Sequence, residues 1–250
     1  MGPDGTTSDS PGAGGSVAGD RLERVRPIAV VIALVAGAYV AQIGFARSGI
    51  DVTGPLPSLG WYLVSIAAPF AVASVAYFAY RGSITVPIRR PTRTEAATVV
   101  GGIVAAYLVY TVYVIVVTTV APSFAHFGGE AESPMDGISS VAIGLVYVLV
   151  FSIVTVFLEE LFFRGVLQGY LQNSIGPLVA IGVASVCFAW FHVYFLSFAS
   201  PAFVGGMVYY TAMGTVFGVV YERTRNLTVP FLVHAGFNAG PFLIVFATMI

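Results

Sequence analysis

The chain has 250 residues, of which 57% are apolar and only 9% charged, and its mean hydropathy is +0.89. An ordinary soluble domain carries about a quarter charged residues, so a soluble globular enzyme is excluded and a bundle of transmembrane helices is expected. The net charge of −1 gives no electrostatic basis for nucleic-acid binding, and the single cysteine, Cys187, excludes an intramolecular disulfide and a cysteine-built zinc cage. All 11 basic residues are arginine, a composition that fits a GC-rich prokaryotic source.

Residues 1–26 form a polar lead whose first 20 residues are rich in Gly, Ser, Pro and Asp. Such a segment buries too little surface to fold and reads as a disordered cytoplasmic tail. Seven apolar stretches follow: Ile28–Phe45, Trp61–Tyr80, Ala96–Val120, Ile138–Leu158, Ile175–Ala199, Ala202–Tyr221 and Leu227–Ile250. Each is 18–25 residues long, and a helix needs roughly 20 to cross the hydrocarbon core. The runs are continuous and do not alternate with period two, so the fold class is all-α, a polytopic bundle of about seven transmembrane helices, and a porin-type barrel is disfavoured.

The arginines orient this bundle. Arg21, Arg24 and Arg26 precede the first span, Arg81, Arg89, Arg90 and Arg93 separate the second and third, and Arg223 and Arg225 separate the sixth and seventh. Those segments fall on one side, whereas the other side carries only Arg47 and the acidic loop with Glu130, Glu132 and Asp136. The positive-inside rule then places the N-terminus in the cytoplasm and the C-terminus outside, in the cell membrane.

Within the spans the ionisable residues are few. Glu159, Glu160 and Arg164 end the fourth, His192 lies in the fifth, and His234 with Asn238 lies in the seventh. A charge at the bilayer centre costs about 2.5–3.5 kcal/mol, so each requires a partner or a wet cavity, and together they point to one shared site. Neighbouring residues sit about 100° apart around a helix, so Glu159 and Glu160 face different partners. Glu160 and Arg164, spaced i and i+4, share a face and are expected to pair, leaving Glu159 free to act as a general base. The breaker-rich segment 173–177 makes a hairpin of the fourth and fifth spans, and the midpoint of 159 and 192 falls inside it, so Glu159 and His192 are expected at the same height. His234 and Asn238, also i and i+4, share a face and enter from the same cytoplasmic side. Phe188, one turn before His192, reads as a packing aromatic, His126 as a loop or interface residue, and the pairs Gly165/Gly169 and Gly214/Gly218 as helix-packing positions.

Taken together, Glu159-Glu160-Leu161-Phe162-Phe163-Arg164, Phe188-Ala189-Trp190-Phe191-His192 and His234-Ala235-Gly236-Phe237-Asn238 resemble the three helical motifs of the CPBP membrane proteases, which include the Rce-type CAAX prenyl endopeptidases and the Abi immunity proteins. The resemblance covers residues 138–250, a catalytic transmembrane domain, while 27–137 match only as generic membrane helices. It implies an intramembrane endopeptidase acting near the cytoplasmic face on a peptide or protein that is lipidated or membrane-associated. Glu159, His192, His234 and Asn238 would be its catalytic set, with Glu160, Arg164 and Phe188 in orienting roles. Two mechanisms stay open. His192, His234 and either Glu159 or Asn238 would hold a zinc ion, or Glu159 with His192 would activate water directly while His234 and Asn238 stabilise the oxyanion. The alternatives are a transporter or ion relay, since such residues also line proton and metal paths, and a non-proteolytic immunity or interaction protein on the same bundle.

Overall fold

The structure, a computed structural model, describes residues 29–30, 32–41, 43–44, 47, 60, 63, 67–81, 86–124, 141–193 and 196–249. The polar tail, Arg21, Arg24, Arg26, His126 and the acidic loop lie outside the described residues. Among the described residues there are seven helical rods and no strand, which makes this a helical membrane protein. They are α1 (Ile32–Ala41), α2 (Ala68–Arg81), α3 (Arg93–Thr119), α4 (Val141–Ile175), α5 (Pro177–Val193), α6 (Pro201–Thr224) and α7 (Thr228–Met249). Arg93–Thr119, Gly144–Ile175 and Pro201–Thr224 are long and apolar enough, by length and composition, to cross a membrane. Along α3 the residues Val100, Val104, Leu108, Val112 and Ile115 are exposed, as expected of a lipid-facing helix.

Two expectations need correction. The fifth apolar run does not stay helical to Ala199; α5 stops at Val193 and is 17 residues long. Beyond it Ala199 takes φ 59°, and Ser200, extended ahead of Pro201, caps α6 by accepting from the Phe203 N–H at 3.1 Å. The hairpin turn is also tighter than the breaker cluster 173–177 implies. Helix persists through Ile175, and the reversal falls on Gly176 at φ 82°, ψ 159°, a conformation open to glycine, with Pro177 starting α5.

α4 is not uniform. It runs as α-helix over Val141–Leu149, π-helix over Val150–Thr155, α-helix over Val156–Glu160, π-helix over Leu161–Gln168 and α-helix again over Gly169–Ile175. Widened turns of this kind are frequent at functional sites. Here they bracket the one short turn that carries Glu159 and Glu160.

The core between α2, α4 and α5 is aromatic. Phe70 packs 5.3 Å from both Phe162 and Phe163, and Phe163 meets Phe188 edge-on at 5.2 Å. α5 and α6 approach closely because Gly214 has no side chain: a Cβ there would sit 3.0 Å from Ser185 Cα. Gly214→Leu should therefore force the two helices apart and destabilise by about 1–3 kcal/mol, read as a lowered Tm in detergent. An unchanged Tm would mean that this contact is not closely packed.

At the other end of α7 a polar clasp fixes its start. Arg89 pairs bidentately with Glu95 at 2.8 and 2.6 Å, and Glu95 also closes the capping box of α3 with Thr92. The Arg89 N–H donates to Asn226 Oδ1 at 3.3 Å and the Leu227 N–H to the Pro87 carbonyl at 2.9 Å. The segment 87–95 is thus tied to the α6–α7 turn, about two helical turns before His234.

Candidate active site

Glu159 is 5% exposed and lies between two imidazoles. Its Oε1 stands 4.0 Å from His192 Nε2 and its Oε2 3.9 Å from His234 Nε2. The equal height expected from the hairpin register is therefore met in space, because Gly176 sits almost at the midpoint between the two residues.

Hydrogen-bond partners fix where the ring protons are. His192 Nδ1 is 2.8 Å from the Phe188 carbonyl, which can only accept, so Nδ1 carries the proton. His234 Nδ1 is 2.8 Å from Glu160 Oε1, the oxygen that also faces Arg164 Nη1, so there too the ring donates through Nδ1. With each ring neutral, Nε2 is an acceptor and faces the Glu159 carboxylate, another acceptor, across a gap longer than a hydrogen bond. A molecule bearing protons is what fits between them.

Glu160 does meet Arg164, Nη1 to Oε1 at 3.1 Å, with the two side chains 0% and 1% exposed. Unforeseen from the sequence is that the same Oε1 also accepts from His234, so Glu160 orients a member of the site as well as neutralising the arginine. Arg164 also donates to the Gly214 carbonyl, Nη2 to O at 3.0 Å, its Nε has no partner among the described residues, and its guanidinium lies 4.9 Å from the Phe188 ring and 5.3 Å from Phe217. Phe188 thus has three tasks: it packs the core, accepts from His192 and covers Arg164.

Glu159, His192, His234 and Asn238 line one cavity of about 200 Å³. The remainder of its wall is largely aromatic and aliphatic, including Phe151, Tyr209, Tyr210, Met213 and Phe237. Three contributors escaped the sequence reading. Phe217 stacks on His234 at 4.3 Å and 18°, and Tyr210 lies against His192 at 4.3 Å and 31°. Gln168, fully buried, donates to the Gly218 carbonyl at 3.0 Å, repeating four residues on what Arg164 does to Gly214. The spacing 160, 164, 168 was a visible signal; the two aromatics, among 14% of such residues, gave none.

Two imidazole nitrogens and a carboxylate are donor types that zinc accepts. Ligands about 2.0–2.1 Å from one tetrahedral ion stand roughly 3.3 Å apart, closer than the gaps around Glu159. Among the described residues no group of three His, Cys, Asp or Glu could hold a metal ion as they stand.

Residues 140–240, which contain all of these side chains, match the model of a family described as type II CAAX prenyl endopeptidase Rce1-like. A Bacillus subtilis (strain 168) protein named "Putative membrane peptidase YdiL" is 30% identical over 111 residues, covering 44% of this chain. The chain spans about two fifths of that relative's length, 42%. No solved structure matches the chain. The segment 140–240, with its Glu-Glu-x-x-x-Arg, Phe-x-x-x-His and His-x-x-x-Asn motifs, is thus similar to the Rce1-like endopeptidases over about two fifths of the chain.

Proposed function

We propose that the protein is an intramembrane endopeptidase that hydrolyses peptide bonds in the cavity around Glu159. The observation that carries this reading is the set of facing acceptors: Glu159 between two Nε2 atoms at 4.0 and 3.9 Å, a spacing that a water spans with both of its protons engaged. That water has its oxygen lone pair free for a peptide carbonyl. As it attacks, Glu159 takes one proton, the carbonyl carbon becomes tetrahedral, and the oxygen gains charge. Asn238, on the α7 face one turn after His234, supplies a neutral donor to that oxyanion. In this reading His234, whose Nδ1 is bonded to Glu160, serves as an acceptor through Nε2 and leaves the oxyanion to Asn238. Collapse of the intermediate breaks the C–N bond, and Glu159 returns the proton to the leaving amine. No step requires a metal. The Rce1-like match supports peptide hydrolysis, and the position of the cavity within a bundle of apolar helices supports a membrane-associated or lipidated substrate.

The reading extends to orientation: N-terminus cytoplasmic, C-terminus outside, site in the cytoplasmic half of the cell membrane. A reporter fused after Ile250 should read as extracytoplasmic; a cytoplasmic signal overturns that orientation. For the activity, the purified full-length chain in detergent is incubated with a peptide library in isotopically labelled water, with and without chelator. Internal cleavage with label in each new carboxyl group is expected, at equal rates in both arms. Absence of cleavage refutes the peptidase reading, whereas loss of cleavage on chelation refutes the direct activation of water by Glu159.

A further inference from the structure

A helical threonine has an acceptor at hand in the carbonyl one turn back. Thr98, Thr118, Thr119, Thr215 and Thr224 all donate to it, at 2.6–3.2 Å. Thr155 does not. It is 2% exposed and its hydroxyl has no hydrogen-bond partner among the described residues. It ends the π-helical stretch Val150–Thr155 and lines the cavity one turn before Glu159. Ser152, 1% exposed and also unpartnered, sits three residues earlier but is not part of the cavity wall. Buried polar groups are almost always satisfied, so a hydroxyl left unpaired beside a reaction cavity calls for a ligand.

Resting on the peptidase reading above, we propose that Thr155 is a substrate-binding residue whose hydroxyl donates to a backbone carbonyl of the peptide adjacent to the scissile bond. Side chains at i and i+4 on a helix are about 5–6 Å apart, and an extended peptide advances about 3.3 Å per residue. With the scissile carbonyl at Glu159, Thr155 therefore meets the main chain one or two residues away. The nearest wall residues on the same helix, Phe151 and Val156, are apolar, and a peptide carbonyl entering there must replace the water it leaves behind. Because the contact is to backbone, it tolerates any substrate side chain.

The test uses the peptide cut most efficiently from the library above and the full-length chain in detergent. Kinetics are measured for Thr155→Val, Thr155→Ser and Ser152→Ala, and binding of the same peptide is measured with Glu159→Gln added to each so that it is not turned over. Thr155→Val should weaken binding and raise KM about tenfold, the equivalent of one hydrogen bond, with little change in kcat. Thr155→Ser should restore most of the loss, and Ser152→Ala should leave binding unchanged. The Tm of Thr155→Val should not fall, since a methyl group replaces an unpaired hydroxyl. A Thr155→Val affinity within twofold of the parent overturns the assignment and leaves the peptidase reading standing. So does a loss that accompanies a lowered Tm and is not repaired by serine. If the unsubstituted chain neither binds nor cuts any peptide, both readings fall.

Discussion

Glu159→Gln should lower kcat by about 10²–10⁴-fold or abolish turnover, the range assigned to a positioned general base, while the protein stays folded. Glutamine keeps the size and planarity of the side chain but cannot take the proton of the attacking water. It also puts an amide donor against an Nε2 acceptor, closing one of the two gaps that the water would bridge. Stability should scarcely change, because Arg164 keeps its own partner in Glu160 and Glu159 approaches the two imidazoles only at 3.9 and 4.0 Å, with no hydrogen bond among the described residues. The check is paired: turnover of a cleaved peptide, and thermal unfolding of the same preparation. A Tm within a few degrees corresponds to about 1 kcal/mol in a chain of this size. Near-normal turnover would show that Glu159 is not the base, and a collapse of Tm would show that it is structural.

Much of this site was legible in the sequence because so little of the chain is polar. In a chain with 9% charged residues, Glu159, Glu160, Arg164, His192 and His234 stand out individually, and helix periodicity decides which of two adjacent carboxylates reaches Arg164. The hairpin register worked for a similar reason: Gly176 and Pro177 leave one place for the reversal, so counting residues on either side gives height. What could not be read depends on contacts between helices. The bond from His234 to Glu160 spans 74 residues of sequence, and the acceptor for Arg164 is a backbone carbonyl, at Gly214, to which composition is blind. The π-helical pieces of α4 were equally hidden, since a shift from four- to five-residue hydrogen bonding follows from packing and has no residue signature. The early end of α5 reflects local chemistry winning over hydropathy: Phe198 and Ala199 continue the apolar run, but Ser200 and Pro201 are a helix start.

Removing either partner of the pair beneath the site should be the most damaging change to stability. Arg164 and Glu160 are 1% and 0% exposed, so Glu160→Gln leaves a guanidinium, and Arg164→Leu a carboxylate, buried without a counter-charge at a cost of about 3–5 kcal/mol. In the first case two aromatic rings, Phe188 and Phe217, and the Gly214 carbonyl all favour the stranded cation, whereas in the second the stranded carboxylate keeps the single donor His234 Nδ1–H. Arg164→Leu should therefore lower Tm further than Glu160→Gln. The double variant Glu160→Gln/Arg164→Leu should fall by less than the sum of the two, since neither charge is then stranded. Activity follows a different order. Glu160→Gln also replaces the acceptor that sets the His234 tautomer with a group able to present either an oxygen or an amide, so His234 Nε2 is no longer held as an acceptor toward Glu159. The double variant should thus recover stability without recovering turnover. Additive Tm losses would mean that the two residues act separately, and full turnover in Glu160→Gln would mean that the His234 proton is fixed by something other than Glu160.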